Sequence, residues 1–437
     1  MTLWEDLAIR DPASASASGH PPSPSKASGD ALVILIDQAV VSATSFLTFV
    51  IIARAVSKGE LGLYTLGFSL VIFITNLQDA IVLAPYTVYS PRFQAERHLR
   101  YTGSSLLHQL SVAFSAALLL ATAGTIFSLS RHLSQWAAIT WALAVAIVFI
   151  LLREYGRRVC FAWRREKIAL ALDTCIAVSQ IGGLLLLARR GVLSAETAYW
   201  VIGATSGAIA VAWLWWSRRR FSFSYRYARL HLFRNLALGK WILASNVAQT
   251  ISGEIFPWFL AAFRGMTATG TLAACRSLAS VTNPFLLGMG NFLGPKTAHV
   301  FWHRGQRELN ALVVRYTFLI IVPMGIATIV LVLFGDLLLV TLYGAQYKGY
   351  GGTVALLAVN QFILILGSPT IGALLAVEHP EALFKSYLAS GAVTFLVGLP
   401  LVWAYGVRGA AVAMIWSTVT GVAFRGWSLW TFSRVRS

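Results

Sequence analysis

One arginine stands by itself in TGTLAACRSLASVTNP, residues 269–284: small apolar residues surround Arg276, and no further charge follows until Lys296. A charge held away from water must be paired or offered to an anion, because an uncompensated one costs several kcal/mol. Glu254 lies upstream as a possible partner, and Arg54 is a second cation at the end of another apolar run. Asp37 and Asp79 also fall in apolar runs, where either both sit among cytoplasmic headgroups and stay ionised, or mutual repulsion on a shared face lets one of them take up a proton. The amides Asn246, Gln249, Asn283, Asn291, Asn360 and Gln361 can bond sugar hydroxyls or join helices. These groups recognise charge and hydroxyls. No nucleophile–base pair, phosphate-binding glycine loop or metal-ligand spacing accompanies them, and Cys160, Cys175 and Cys275 stand singly. The chain is therefore expected not to be an enzyme, and to carry no metal and no cofactor beyond a possible coupling ion, H+ or Na+, at Asp37 and Asp79.

The elements that must position these residues follow from composition. Of 437 residues 57% are hydrophobic and 12% charged, against about 25% charged in soluble domains, so an all-α polytopic membrane protein is predicted. Apolar runs near or above the roughly 18 residues of a spanning helix predict helices over 31–53, 61–83, 105–129, 136–152, 168–188 and 197–216. Six more follow over 241–263, 270–294, 310–334, 351–377, 383–403 and 408–430. The domain reading is a disordered tail over 1–29, an N-lobe over 30–216, a basic aromatic linker over 217–240, a C-lobe over 241–430 and a short tail over 431–437. The linker's RRRFSFSYRYARLHLFR suits a segment lying on anionic headgroups.

Charge sets the orientation. With both termini on one side, that side collects 24 Lys and Arg, and the other collects eight: Arg54, Lys58, Arg131, Arg189, Arg190, Arg264, Lys348 and Arg408. Such a bias over short loops places the richer side, with both termini, in the cytoplasm. It also accounts for the net charge of +18 without nucleic acid. Arg315 and Arg425, close to helix ends, are expected to snorkel to the surface.

The halves carry a faint repeat. RAVSKGELGLYTLGFS and RGMTATGTLAACRS each lead from a short Arg and Gly loop into G-x6-S, Gly62 to Ser69 and Gly270 to Ser277. Repeated halves packed around a central site are a common transporter plan. From Gly270, six residues at 1.5 Å place Arg276 roughly 9 Å deep, while Glu254, ten residues before Arg264, lies roughly 15 Å from the same surface. Long side chains span that offset, so a pair with Glu254 and a role toward an anionic substrate are both open, and phosphate could compete with Glu254.

The stretches DQAVVSATSFLTFVIIARAVSKGELGLYTL, REYGRRVCFAWRREKIALALD and GTLAACRSLASVTNPFLLGMGNFLGP resemble the oligosaccharide and O-antigen flippases of the multidrug/oligosaccharidyl-lipid/polysaccharide (MOP) exporter superfamily. The resemblance implies two six-helix lobes around a central cavity in a bacterial inner membrane. It implies a substrate of undecaprenyl diphosphate carrying a short sugar chain, turned from the cytoplasmic to the periplasmic leaflet for surface polysaccharide export. Polysaccharide polymerase and chain-length machinery would then be partners beside membrane lipids, and Arg276, Arg54, Glu254 and Asn283 the candidates for binding. The alternatives are an organic-cation exporter of the same superfamily, which would want an acidic cavity, and a membrane polysaccharide polymerase or ligase, for which the outer loops are short.

Overall fold

The structure, a computed structural model, describes residues 24–130 and 133–436. Among them there are twelve helices and no strand, running alternately up and down. The first six are α1 (Pro24–Ala55), α2 (Lys58–Arg92), α3 (Ala95–Ser128), α4 (Ser134–Ala162), α5 (Glu166–Arg189) and α6 (Ala195–Ser217). Helix α7 runs from Tyr225 to Arg264 and bends at Ile255, ahead of Pro257. Helix α8 runs from Met266 through a tight turn at Ser280–Thr282 to residue 304, and α9 over 306–343. The last three are α10 (Gly351–Ala376), α11 from Pro380 to residue 405 and α12 over 407–436. Nine described stretches are long and apolar enough to cross a membrane, one of them, Pro380–Phe432, holding parts of both α11 and α12. The chain is a multi-pass membrane protein.

Helices outrun the apolar windows that predict them. Residues 225–240 of the expected linker continue as α7, α4 goes ten residues past 152, and α12 reaches Arg436, through most of the expected 431–437 tail. Hydropathy reports where a helix lies in hydrocarbon, whereas its internal hydrogen bonds persist beyond. Of the expected tail over 1–29, residues 1–23 lie outside the described residues, and α1 already begins at Pro24. The joints are as short as a turn allows. Gly265 and Gly305, at φ +81° and +80°, alone separate α7 from α8 and α8 from α9, a backbone state that suits glycine.

Two faces result: a basic face carrying the α2–α3, α4–α5 and α6–α7 connections, and a Gly265 face opposite. Toward the Gly265 face one continuous core joins the lobes, from Ile52, Leu61 and Leu143 to Leu272, Tyr343 and Ala410. Toward the basic face the core divides, into a cluster around Tyr86, Tyr155 and Trp213 and another around Leu309, Leu374 and Leu429. The glycines of the sequence repeat meet where the lobes join. A Cβ on Gly62 would stand 2.1 Å from the Met266 carbonyl oxygen, and one on Gly270 1.9 Å from that of Lys58, so α2 and α8 touch backbone to backbone there. On the basic side α7 reaches across to the N-lobe. Gly239 lies against the Ala80 carbonyl, and Tyr101 donates to Asn235 at 3.0 Å.

Candidate functional site

Glu254 and Arg276 are each eleven residues from Gly265, on opposite arms of the α7–α8 hairpin. The two arms therefore bring them to one level. Arg276 Nη2 lies 2.5 Å from Glu254 Oε1, and Nη1 donates to Oε2 at 3.0 Å, a two-pronged pair that fixes the guanidinium plane. Because α8 begins at Met266, four residues before Gly270, Arg276 sits about 15 Å in rather than 9 Å. A membrane core is about 30 Å thick, so a core edge level with Met266 would put Arg276 near its middle. Its side chain is 32% exposed and that of Glu254 18%. An arginine at such a depth turns toward water or protein rather than hydrocarbon, so the exposed third of Arg276 is the part that an anion could reach.

Polar groups on α2, α7, α8 and α10 accompany the pair. Asn76 donates to Thr250 at 2.8 Å, and Asn246 reaches the Asn76 carbonyl at 3.4 Å. Gln361 donates to Asn283 at 2.6 Å, both away from the apolar cores, and Gln249 is exposed. Nothing is described of the Asn291 side chain. Trp258 of α7 donates to Ser69 of α2 at 2.8 Å, and Tyr343 lies 3.2 Å from Ser277; the serines of the repeat thus carry the contacts beside its glycines. Arg54 stands apart, on the Gly265 face, where it reaches the Thr341 carbonyl across the lobes at 3.4 Å.

Asp37 and Asp79 are brought to different partners. Asp37 accepts from Arg157 at 2.6 Å, and the same guanidinium lies 2.7 Å from Asp173, which Arg153 also reaches at 3.3 Å. Asp79 takes Arg158 at 3.2 Å, with Asn246 also against it. Adjacent residues on a helix project about 100° apart, so Arg157 and Arg158 draw the two carboxylates to separate sides of α4. The mutual repulsion considered for Asp37 and Asp79 is replaced by two arginine pairings.

Sequence reading missed the α4 arginines because their charges closed the apolar window at 152. The signal available was REYGRR at helical spacing opposite three carboxylates in apolar runs. Arg425 differs from expectation too: its side chain does not snorkel but is buried, 5% exposed, its guanidinium 6.0 Å from the Tyr387 ring centroid. Helix α12 continues for eleven residues beyond it, which keeps it below the surface.

No family model matches the sequence, and no curated protein matches it. Solved structures do. The chain is similar to an inward-facing multidrug resistance MATE family transporter of the MOP superfamily at 12% identity and TM-score 0.73, covering 92% of this chain and 98% of that one. An outward-facing MATE transporter matches at 13% identity and TM-score 0.64, over 93% of each chain. A MOP superfamily transporter from Pyrococcus furiosus, described as having a binding pocket of reversed polarity that suggests a different function, matches at 11% identity and TM-score 0.64, over 93% of this chain and 94% of that one. The fold is that of the MATE transporters, two six-helix lobes.

Proposed function

We propose that the chain is a transporter that alternates access between its lobes, and that its cargo is a polyprenyl-diphosphate-linked oligosaccharide bound for the cell surface. The observation that carries the reading is Arg276: a partly exposed cation held in a fixed plane by Glu254. A diphosphate needs a counter-charge to cross hydrocarbon, and a planar guanidinium offers it two hydrogen bonds at once. Substrate phosphate competes with Glu254 and is released when Glu254 takes the arginine back. Asn283, beside Gln361, would bond sugar hydroxyls, and Arg54 would meet the headgroup on its way out. The polyprenyl tail stays in lipid.

With the cores joined at the Gly265 face and divided at the basic face, the molecule opens toward its basic side. The Lys and Arg bias supports a cytoplasmic placement for that side, and the resemblance implies a bacterial inner membrane, where lipid-linked sugars would be loaded. A coupling ion, H+ or Na+, would act at Asp37 or Asp79 by competing with Arg157 or Arg158. Polymerase and chain-length proteins would receive the product.

A second reading, export of organic cations, fits the fold equally well and would use Glu254 as the recognising group. The Pyrococcus furiosus protein, whose reversed pocket polarity is described as suggesting a different function, shows that pocket polarity varies within this fold. The two readings separate in proteoliposomes. Arg276→Ala should slow flipping of a lipid-linked oligosaccharide by about tenfold or more, the worth of a lost charge-assisted contact, at unchanged protein level. Normal flipping by that variant, together with cationic dye efflux that Glu254→Gln abolishes, would overturn the proposal in favour of the second reading.

A further inference from the structure

At the basic end of the N-lobe a cleft of about 460 Å3 opens between the α4–α5 connection, the start of α3 and the end of α6. It is lined by His98, Leu99, Ala162, Trp163, Arg164, Arg165 and Arg220, three guanidiniums and no carboxylate. Arg220 lies 4.8 Å from the Trp163 ring centroid and 5.7 Å from that of Trp216, and Arg165 lies 5.9 Å from the same Trp216 ring. Two like charges thus approach one aromatic ring. Nothing beside them compensates: among the described residues Arg153, Arg157 and Arg158 each pair with a carboxylate, whereas Arg164, Arg165 and Arg220 pair with none.

The cleft is also built rigidly. Helix α4 ends with Arg165 N–H bonded to the Cys160 carbonyl and Arg164 N–H to that of Phe161, which sets Arg164 at φ +53°. Glycine is usual at that position, and an arginine there costs about 1 kcal/mol of backbone strain. On the opposite wall Ser222 N–H bonds the Leu99 carbonyl, and Gly103 lets the Ser222 backbone approach so closely that a Cβ would fall 2.1 Å from its oxygen. Two guanidiniums at one ring, a third at the rim and no carboxylate in the lining make a site that an anion would complete. Exposed Trp215, Trp216 and Phe223 flank the site and set it at headgroup depth.

We infer that this cleft binds a phosphate group, which Arg165 and Arg220 clamp from the Trp216 side while Arg164 closes the rim. The chemistry is shared by the headgroup of an anionic phospholipid and by a soluble phosphate. The test is native mass spectrometry of the detergent-solubilised protein titrated with phosphatidylglycerol, with zwitterionic phosphatidylcholine and with inorganic phosphate. The expected result is retention of phosphatidylglycerol at about tenfold lower concentration than phosphatidylcholine. Arg165→Gln or Arg220→Gln should erase that preference, while Arg218→Gln, whose guanidinium stacks on Trp215 at 4.5 Å outside the cleft, keeps it. Displacement of the lipid by inorganic phosphate assigns the site to a soluble ligand, and persistence of the lipid assigns it to the headgroup. Equal retention of the two lipids by the wild type, with no phosphate adduct, overturns the inference without any variant. So does an unchanged preference in Arg165→Gln, should Arg220→Gln fail to fold.

Discussion

Each lobe holds arginine–carboxylate pairs at membrane depth, and it holds them differently. In the N-lobe, Asp37 and Asp173 are 1% exposed and surround Arg157, with Arg153 completing a balance of two charges of each sign. In the C-lobe a single arginine faces a single carboxylate, and the pair is partly exposed. Both cancel charge, but Arg276 is 32% exposed against 21% for Arg157 and 17% for Arg153, so the second leaves its cation the more accessible; the N-lobe's separate Arg158–Asp79 pair, at 41% and 33%, is open as well. A buried, self-neutralised network ties α1, α4 and α5 together and has nothing to offer a substrate. An open pair can exchange its carboxylate for a phosphate at little desolvation cost, since part of the cost of burial was never incurred.

The comparison breaks first at Arg157. Arg157→Met strands Asp37 and leaves Asp173 to Arg153 alone, and losing one member of such a network costs about 3–5 kcal/mol. Thermal unfolding in detergent should show the loss, or the variant should fail to accumulate. The same change at Arg276 strands one partly exposed carboxylate and should cost clearly less. Equal losses at the two positions would erase the distinction between a structural network and an available pair.

A second break lies where the lobes touch. Gly270→Val places a side chain on the Lys58 carbonyl, and overpacking of this kind costs about 1–3 kcal/mol. The strain falls at the seam between lobes, so cross-linking of cysteines placed across the Gly265 face should drop while each lobe's own core stays folded. Undiminished cross-linking would show that the α2–α8 contact does not hold that face closed.

How much of this was legible in the sequence depends on the residue. The order and approximate places of the twelve helices follow from hydropathy because a membrane helix must satisfy its own backbone, but their ends do not, since α4, α7 and α12 run past the apolar windows. The G-x6-S repeat pointed to related positions in the two halves, yet only the structure shows Gly62 and Gly270 meeting face to face. For Glu254 and Arg276, antiparallel arms made contact predictable. Their common depth was not, because it turns on Gly265 acting as a one-residue joint. The Asp37 and Asp173 network stayed hidden for a physical reason. Charged residues lower hydropathy and so look like loop, while a compensated arginine can sit inside a helix as α4 shows. Arg425 is the same lesson at the other end of the chain, since proximity to a span's end implies snorkelling only if the helix stops there.

The gentlest test sharpens the comparison most. Glu254→Gln keeps the shape of the side chain and removes its charge, leaving the partly exposed Arg276 to water and to any anion that enters. Stability should fall by about 1 kcal/mol or less, the scale of a solvent-screened pair. If Glu254 competes with substrate phosphate for Arg276, the apparent affinity for a lipid-linked oligosaccharide should rise several-fold, while maximal flipping does not, because the carboxylate that retrieves the arginine is gone. If Glu254 serves instead to hold the guanidinium in the receiving plane, affinity falls with the charge. Binding and turnover measured on one variant therefore separate a competitor from a positioning group, and the sign of the affinity change decides between them.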